Sequence, residues 1–236
     1  MGQYTNKGLY NSYDKNHKER DKLDYYATPT VEVLNILNKL KIDFTDTTIL
    51  EPCVGGGHMA DGIDAYICTT LCGNDLESIR ALGTIKTIGT DIHNRGYEND
   101  DWELYCGPEY DFFLDDYPYD EADWIIMNPP YSVIEPFTIR ALDIAKKGVI
   151  MLARLQFLEG EGRFEKILKF NPPTDVYVYV DRIQCWKDGL KPEGSSAQAY
   201  AWFVWDRTNQ KDYLVEPKIH WIRRADKSNI GQNNEI

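Results

Sequence analysis

Two consecutive prolines directly behind an apolar run constrain this chain more than any other feature. Trp124-Ile125-Ile126-Met127 is followed at once by Asn128-Pro129-Pro130-Tyr131. Neither proline can extend a helix or donate to a sheet ladder. The run therefore reads as a buried strand ending in a stiff turn. That turn presents an amide side chain, a rigid carbonyl and an aromatic ring at a strand's carboxyl end, where open parallel sheets bind ligands.

Further β-rich runs fall at residues 47–50, 85–90 and 148–152, the last preceded by a helical pattern over 136–146. A helix is expected after Thr28-Pro29-Thr30, with a threonine cap, proline near the first turn, and Val31, Leu34, Ile36, Leu37 and Leu40 as its apolar stripe. Strands alternating with helices imply an α/β fold with a mostly parallel sheet. Two late runs, 176–180 and 200–205, are joined by a polar loop containing Gly189, Pro192, Gly194, Ser195 and Ser196. With no helical pattern between them, they are expected to form an antiparallel hairpin at one edge. Trp202, Phe203 and Trp205 are assigned to strand packing. Residues 1–24, polar and of mixed charge, read as a mobile arm. Residues 25–236 read as a single domain with a C-terminal tail from about 214.

The 236 residues, 42% hydrophobic, suffice for one well-packed α/β domain. No apolar stretch approaches the ~20 residues that span a membrane, and the polar N-terminus lacks the apolar core of a secretory signal. The five cysteines are an odd, scattered set, as expected of free thiols in a reducing compartment, and a cytoplasmic location follows. Cys68 and Cys72 could share a helical face, but the dispersed histidines supply no second pair at zinc spacing, so no metal is expected. The net charge of −12 argues against a simple duplex-binding protein, although a local basic patch can coexist with it.

The segment Glu51-Pro52-Cys53-Val54-Gly55-Gly56-Gly57 follows one strand and precedes an expected helix. Glycines permit positive φ and close approach of backbone to a ligand. A dinucleotide fingerprint would need its third glycine at Ala60, where alanine is tolerated, so spacing alone leaves the ligand open, and a plain tight turn also remains possible. Glu51 weighs against a diphosphate, which it would repel, and in favour of a cationic amino group. Asp91, ending the next β run, is placed to accept hydrogen bonds from a ribose diol.

Together these motifs resemble the S-adenosylmethionine-dependent adenine-amino methyltransferases that carry the catalytic motif Asn-Pro-Pro-Tyr, over roughly residues 24–206. The resemblance implies a Rossmann-like methyltransferase fold. Tyr26, Thr28 and Pro29 resemble the motif that closes over the methionine end of the cofactor. Glu51, Pro52, Gly55 and Gly57 resemble the glycine-rich motif, Asp91-Ile92 the ribose-binding segment, and Asp111-Phe112 the pair that reads the cofactor's adenine. Asn128, also counted with the cofactor contacts, forms with Pro129, Pro130 and Tyr131 the catalytic tetrapeptide. Residues 152–159, 182–186 and 201–205 are similar to segments of short phage or prophage members. The chain departs from many restriction-linked members in lacking room for a large target-recognition domain.

What the resemblance implies is methylation of adenine in DNA, in a bacterial or phage-infected cell, with a partner subunit as a possible source of specificity. Asn128 Oδ1 and the Pro129 carbonyl would each accept one amino hydrogen of an adenine that is flipped out or unpaired. Tyr131 would stack on that base, with Trp186 as candidate for its second face and Arg154 and Arg182 as candidate phosphate contacts. RNA adenine or guanine amino groups and a protein glutamine amide are the alternative substrates.

Overall fold

The computed structural model describes residues 24–71, 85–119, 121–191, 193, 198–208 and 216–225. The expected arm up to residue 23, Cys72, the loop residues Pro192, Gly194, Ser195 and Ser196, and the end of the expected tail lie outside the described residues.

The elements that position the site are β1 (Tyr26–Ala27), α1 (Thr30–Leu40), β2 (Thr47–Glu51), α2 (His58–Tyr66), β3 (Ile85–Asp91), β4 (Glu103–Cys106) and β5 (Trp124–Met127). They are followed by α3 (Ile134–Ile144), β6 (Gly148–Arg154), β7 (Asp175–Tyr179), β8 (Trp186–Lys187), β9 (Tyr200–Asp206) and β10 (Lys218–Ile222). One eight-stranded sheet runs β10-β7-β9-β6-β5-β2-β3-β4, and β1 and β8 form a separate two-stranded ribbon. Pairing in the large sheet is parallel except where β9 meets β6 and β7, and the ribbon is antiparallel.

The central strands are apolar runs because helices cover both faces of a parallel sheet. All four residues of β5 are buried. Alternate side chains serve different layers. Ile49, Trp124, Ile126, Ile150, Leu152 and Trp202 pack toward Val33, Ile36 and Leu37 of α1 and Met59 and Ile63 of α2. Leu50, Ile125, Met127, Val149, Met151 and Phe203 pack toward Phe137 and Ala141 of α3. Each fully buried side chain of this size contributes about 1.5–3 kcal/mol. Trp202, Phe203 and Trp205 are buried in these layers, as their strand pattern implied.

Three expectations need correction. Pro29 itself occupies the N-cap of α1, with no side-chain capping bond, because Thr28 is engaged elsewhere; the buried stripe of that helix is Glu32, Val33, Ile36 and Leu37. The antiparallel pair β7–β9 does not form the sheet's edge, since β10 adds a parallel strand outside β7. Within the stretch expected as a tail, Lys218–Ile222 is therefore sheet. Among the described residues, no helix is long and apolar enough to cross a membrane.

Candidate functional site

Sheet order explains why distant motifs converge. Strands β3, β2 and β5 are adjacent and parallel, so their carboxyl ends share one rim. Glu51 ends β2, Asp91 ends β3, and Asn128 follows β5 directly. The chain leaves β2 toward β3 on one side and returns to β5 on the other, the reversal of strand order at which such sheets open a crevice. A cleft with about 830 Å³ of empty space, partly open to solvent, lies there. Its walls include Tyr26, Thr28, Glu51, Pro52, Asp91, Ile92, Phe112, Asn128 and Pro130.

The glycine turn is held from behind. Gly55 (φ +57°) and Gly57 (φ +80°) take the left-handed conformation that side chains disfavour. Asp91 accepts hydrogen bonds from the Gly55 N–H (2.9 Å) and from its own loop through the His93 N–H (2.8 Å). Two tyrosines approach this turn closely: the Tyr25 hydroxyl accepts from the Gly56 N–H at 2.9 Å, and a Cβ on Gly55 would collide with the Tyr25 ring and one on Gly57 with the Tyr97 ring.

The segment Asp24–Thr28 straps the cleft. Asp24 accepts from the Ser132 N–H (2.9 Å) and hydroxyl (2.6 Å). The Asn128 Nδ2 donates to the Tyr26 carbonyl (2.7 Å) and the Thr28 Oγ1 (3.0 Å). Antiparallel pairing of Tyr26 with Lys187 and Ala27 with Trp186 fixes the strap from outside.

Three polar atoms at this rim are buried without a hydrogen-bond partner: Glu51 Oε2, His93 Nε2 and Asn128 Oδ1. Buried polar groups are nearly always paired, so such a cluster in a cleft marks a place where a ligand completes the bonding. Burial drives the Glu51 carboxyl well above the usual carboxylate range, and the charges of Asp91 and Asp61 push it further, against a hydrogen bond from the Ala60 backbone. Asp91 is also raised by burial, opposed by the His93 and Gly55 N–H groups. A cation entering beside them would stabilise both ionised forms.

Other expected site residues stand differently. Gly55 and Gly57 shape the turn but do not line the cleft, and Pro29 and Pro129 also lie outside its lining. Asp111 accepts from the Phe113 N–H, organising a local turn, while Phe112 reaches the cleft. Tyr131 does not offer an open face to the cleft. Its ring packs on Tyr26 (centroids 5.1 Å apart), the Arg154 guanidinium lies 4.4 Å over it, and its hydroxyl donates to Tyr200. Stacking a base there requires Arg154 to leave. Trp186 sits in β8 with its ring edge-on to His58 at 5.4 Å, and Arg182 is exposed; neither lines the cleft. Cys185, behind Tyr131, is buried, and burial pushes its thiol up to about 12, which suits packing and not nucleophilic work.

Asp24, Tyr25, His58, His93 and Arg95 line the cleft without having been singled out from sequence. Their signal was positional: each adjoins a recognised motif, and loops after strand carboxyl ends carry such sites.

No protein-family model matches this sequence, and no curated protein matches it. Solved structures do. The M protein of the type I restriction enzyme EcoKI superposes with TM-score 0.60 at 12% identity, over 87% of this chain and 49% of that one. The fold is that of Rossmann-like methyltransferases. The methyltransferase subunit of a type I restriction-modification system from Streptococcus thermophilus gives 0.54 at 12% identity, over 84% of this chain and 47% of that one. A nuclease-deletion mutant of the Type ISP restriction-modification enzyme LlaGI, in complex with a DNA substrate mimic, gives 0.54 at 14%, over 93% of this chain and 30% of that one. The chain thus spans about half the length of the first two and under a third of the last.

Proposed function

We propose that this chain transfers a methyl group from S-adenosylmethionine to the exocyclic amino group of adenine in DNA. Asn128 carries the proposal. Its amide nitrogen is fully engaged by Tyr26 and Thr28, which leaves Oδ1 buried, unpartnered and beside the cleft as a ready acceptor for a planar –NH₂.

The donor set fits the cofactor. The unpartnered Glu51 carboxylate oxygen suits the methionine ammonium, Asp91 the ribose hydroxyls, and Phe112 the adenine ring. When bound, S-adenosylmethionine supplies the electrophilic methyl group. The adenine amino nitrogen is a weak nucleophile because its lone pair is delocalised. Asn128 Oδ1, at the cleft, and the Pro129 carbonyl, just outside its lining, each accept one hydrogen and turn that lone pair away from the ring. The same two acceptors stabilise the positive charge that develops on nitrogen. No strong general base is needed, since the nitrogen becomes acidic once alkylated.

A base paired inside a duplex cannot reach acceptors at this depth, so the adenine enters extruded or already unpaired. Sequence recognition is assigned to a partner subunit, because a net charge of −12 leaves little basic surface for independent duplex binding. Incubation with methyl-labelled S-adenosylmethionine and DNA, RNA or protein, followed by digestion, tests the proposal. Label is expected in N6-methyladenine of DNA. Label confined to RNA bases or to glutamine side chains would overturn the DNA assignment.

A further inference from the structure

We infer that Thr28 is a positioning residue: together with the Tyr26 carbonyl, it fixes the Asn128 amide with its oxygen toward the substrate. This rests on the amino-transfer reading and names what orients its acceptor. It differs from the role the motif resemblance gave Thr28, which was contact with the cofactor.

The two ends of an asparagine amide have nearly the same shape and opposite hydrogen-bonding character, so neighbours decide which way the group turns. Here the Tyr26 carbonyl decides the orientation, and the Thr28 hydroxyl, able to donate or accept, follows it by accepting. A backbone carbonyl can only accept, so the atom 2.7 Å from Tyr26 O is the amide nitrogen. Thr28 Oγ1, 3.0 Å away, takes the second N–H. Both amide hydrogens are thereby used within the strap, and the only unspent capacity is Oδ1. A flipped amide would set oxygen against the Tyr26 carbonyl and point two N–H donors at a substrate that also donates. Without the Thr28 hydroxyl the second N–H loses its partner, and the amide is held in the productive orientation by the Tyr26 carbonyl alone.

The positioning pair is itself held. Thr28 is buried, with 2% of its surface exposed, and the strap is tied at its first two residues. Asp24 is bonded to Ser132 four residues after the catalytic asparagine, and the Asp188 N–H donates to the Tyr25 carbonyl at 2.9 Å. The β1–β8 pairing adds a second tie, so the backbone around Trp186 serves the site by holding the strap. Closure of the cleft and orientation of the acceptor therefore depend on one five-residue segment, Asp24 to Thr28.

Thr28→Val keeps the shape and removes the acceptor; Thr28→Ser keeps the acceptor. For Thr28→Val, kcat is expected to fall about tenfold, the equivalent of one net hydrogen bond, with cofactor affinity unchanged. Thr28→Ser should restore kcat. Loss of cofactor affinity with kcat intact would overturn the inference and return Thr28 to the cofactor.

A readout that does not need turnover is exchange of the Asn128 side-chain amide protons, followed by NMR in the cofactor-free protein. Both protons should be protected in the wild type and in Thr28→Ser, with protection reduced in Thr28→Val. Equal protection in all three would overturn the inference. A wild type that methylates no amino group would refute the amino-transfer reading alone, and the exchange data would still decide what Thr28 does.

Discussion

Two glutamates are buried among the described residues, Glu32 in α1 at 4% exposure and Glu51 at the end of β2 at 2%, and they are treated in opposite ways. Glu32 is surrounded by donors: the Tyr179 hydroxyl (3.0 Å), the Asn35 amide (3.3 Å) and the Ala225 N–H, which reaches both carboxylate oxygens at 2.9 and 3.1 Å. Trp202 Nε1 donates in turn to Tyr179. This network joins α1, the sheet and the chain beyond β10, and it leads to no ligand. Glu51 has a bare oxygen, acidic neighbours and a cleft in front of it. Burial raises both carboxyl groups, but the donors around Glu32 work against the rise, whereas the charges near Glu51 add to it. A satisfied buried carboxylate is a structural tie. An unsatisfied one facing a cavity costs stability unless a partner completes its bonding.

The largest expected effect comes from the other unsatisfied acceptor on the Glu51 side. Asn128→Ala should lower turnover by about 10²–10³, as removal of a preorganised transition-state contact does, while calorimetry still detects cofactor binding. The Glu32 side should respond in stability instead. Glu32→Ala strands the Tyr179 hydroxyl and Ala225 N–H and should cost about 2–3 kcal/mol in denaturant unfolding, with cofactor affinity unaltered. If Glu32→Ala impaired cofactor binding first, the division between the two glutamates would fail.

Glu51→Gln should weaken cofactor binding by about tenfold, since the amide keeps the shape and loses the charge. It should also show a pH signature. A carboxyl raised in the folded state gives stability that is present at low pH and lost as pH rises from the unfolded value toward the folded one. Glutamine has no such loss, so the cofactor-free variant should melt above wild type at pH 8, by about 2–4 °C per kcal/mol relieved, and the gap should close toward pH 4. A gap independent of pH would mean that Glu51 is not the raised group. The smallest effect on binding is expected for Asp91→Asn, which keeps one acceptor oxygen but turns its NH₂ against the Gly55 or His93 N–H, and should weaken cofactor binding by about threefold to tenfold in calorimetry.

Much of this architecture is legible in the sequence where the physics is local. Runs such as Trp124–Met127 and Gly148–Leu152 are buried on both faces, so they are apolar without alternation and legible as strands of a parallel sheet. Strands β4 and β10 lack that signature. Glu103–Cys106 lies at one edge and is half exposed, and Lys218–Ile222 lies at the other with Ile219 and Trp221 exposed, so neither carries a buried run. At the site, Glu51, Asp91 and Asn128 are readable because each stands at a strand end. The ribbon of Tyr26–Ala27 with Trp186–Lys187 is not, because two-residue strands paired across 160 residues leave no periodic trace. The same long range hid Tyr25 and the hydrogen bond from Asn128 to Thr28. It also hid the packing of Tyr131 between Tyr26 and Arg154, which no tetrapeptide motif reports.

The central claim is that Asn128 presents its oxygen to an adenine amino group while Glu51 holds the cofactor that serves it. Mass spectrometry of nucleosides from DNA incubated with S-adenosylmethionine and either the wild type or Asn128→Ala tests it most directly. The account predicts N6-methyldeoxyadenosine with the wild type and close to none with the variant. Equal methylation by both proteins, or methyl groups found only on another atom, would contradict it.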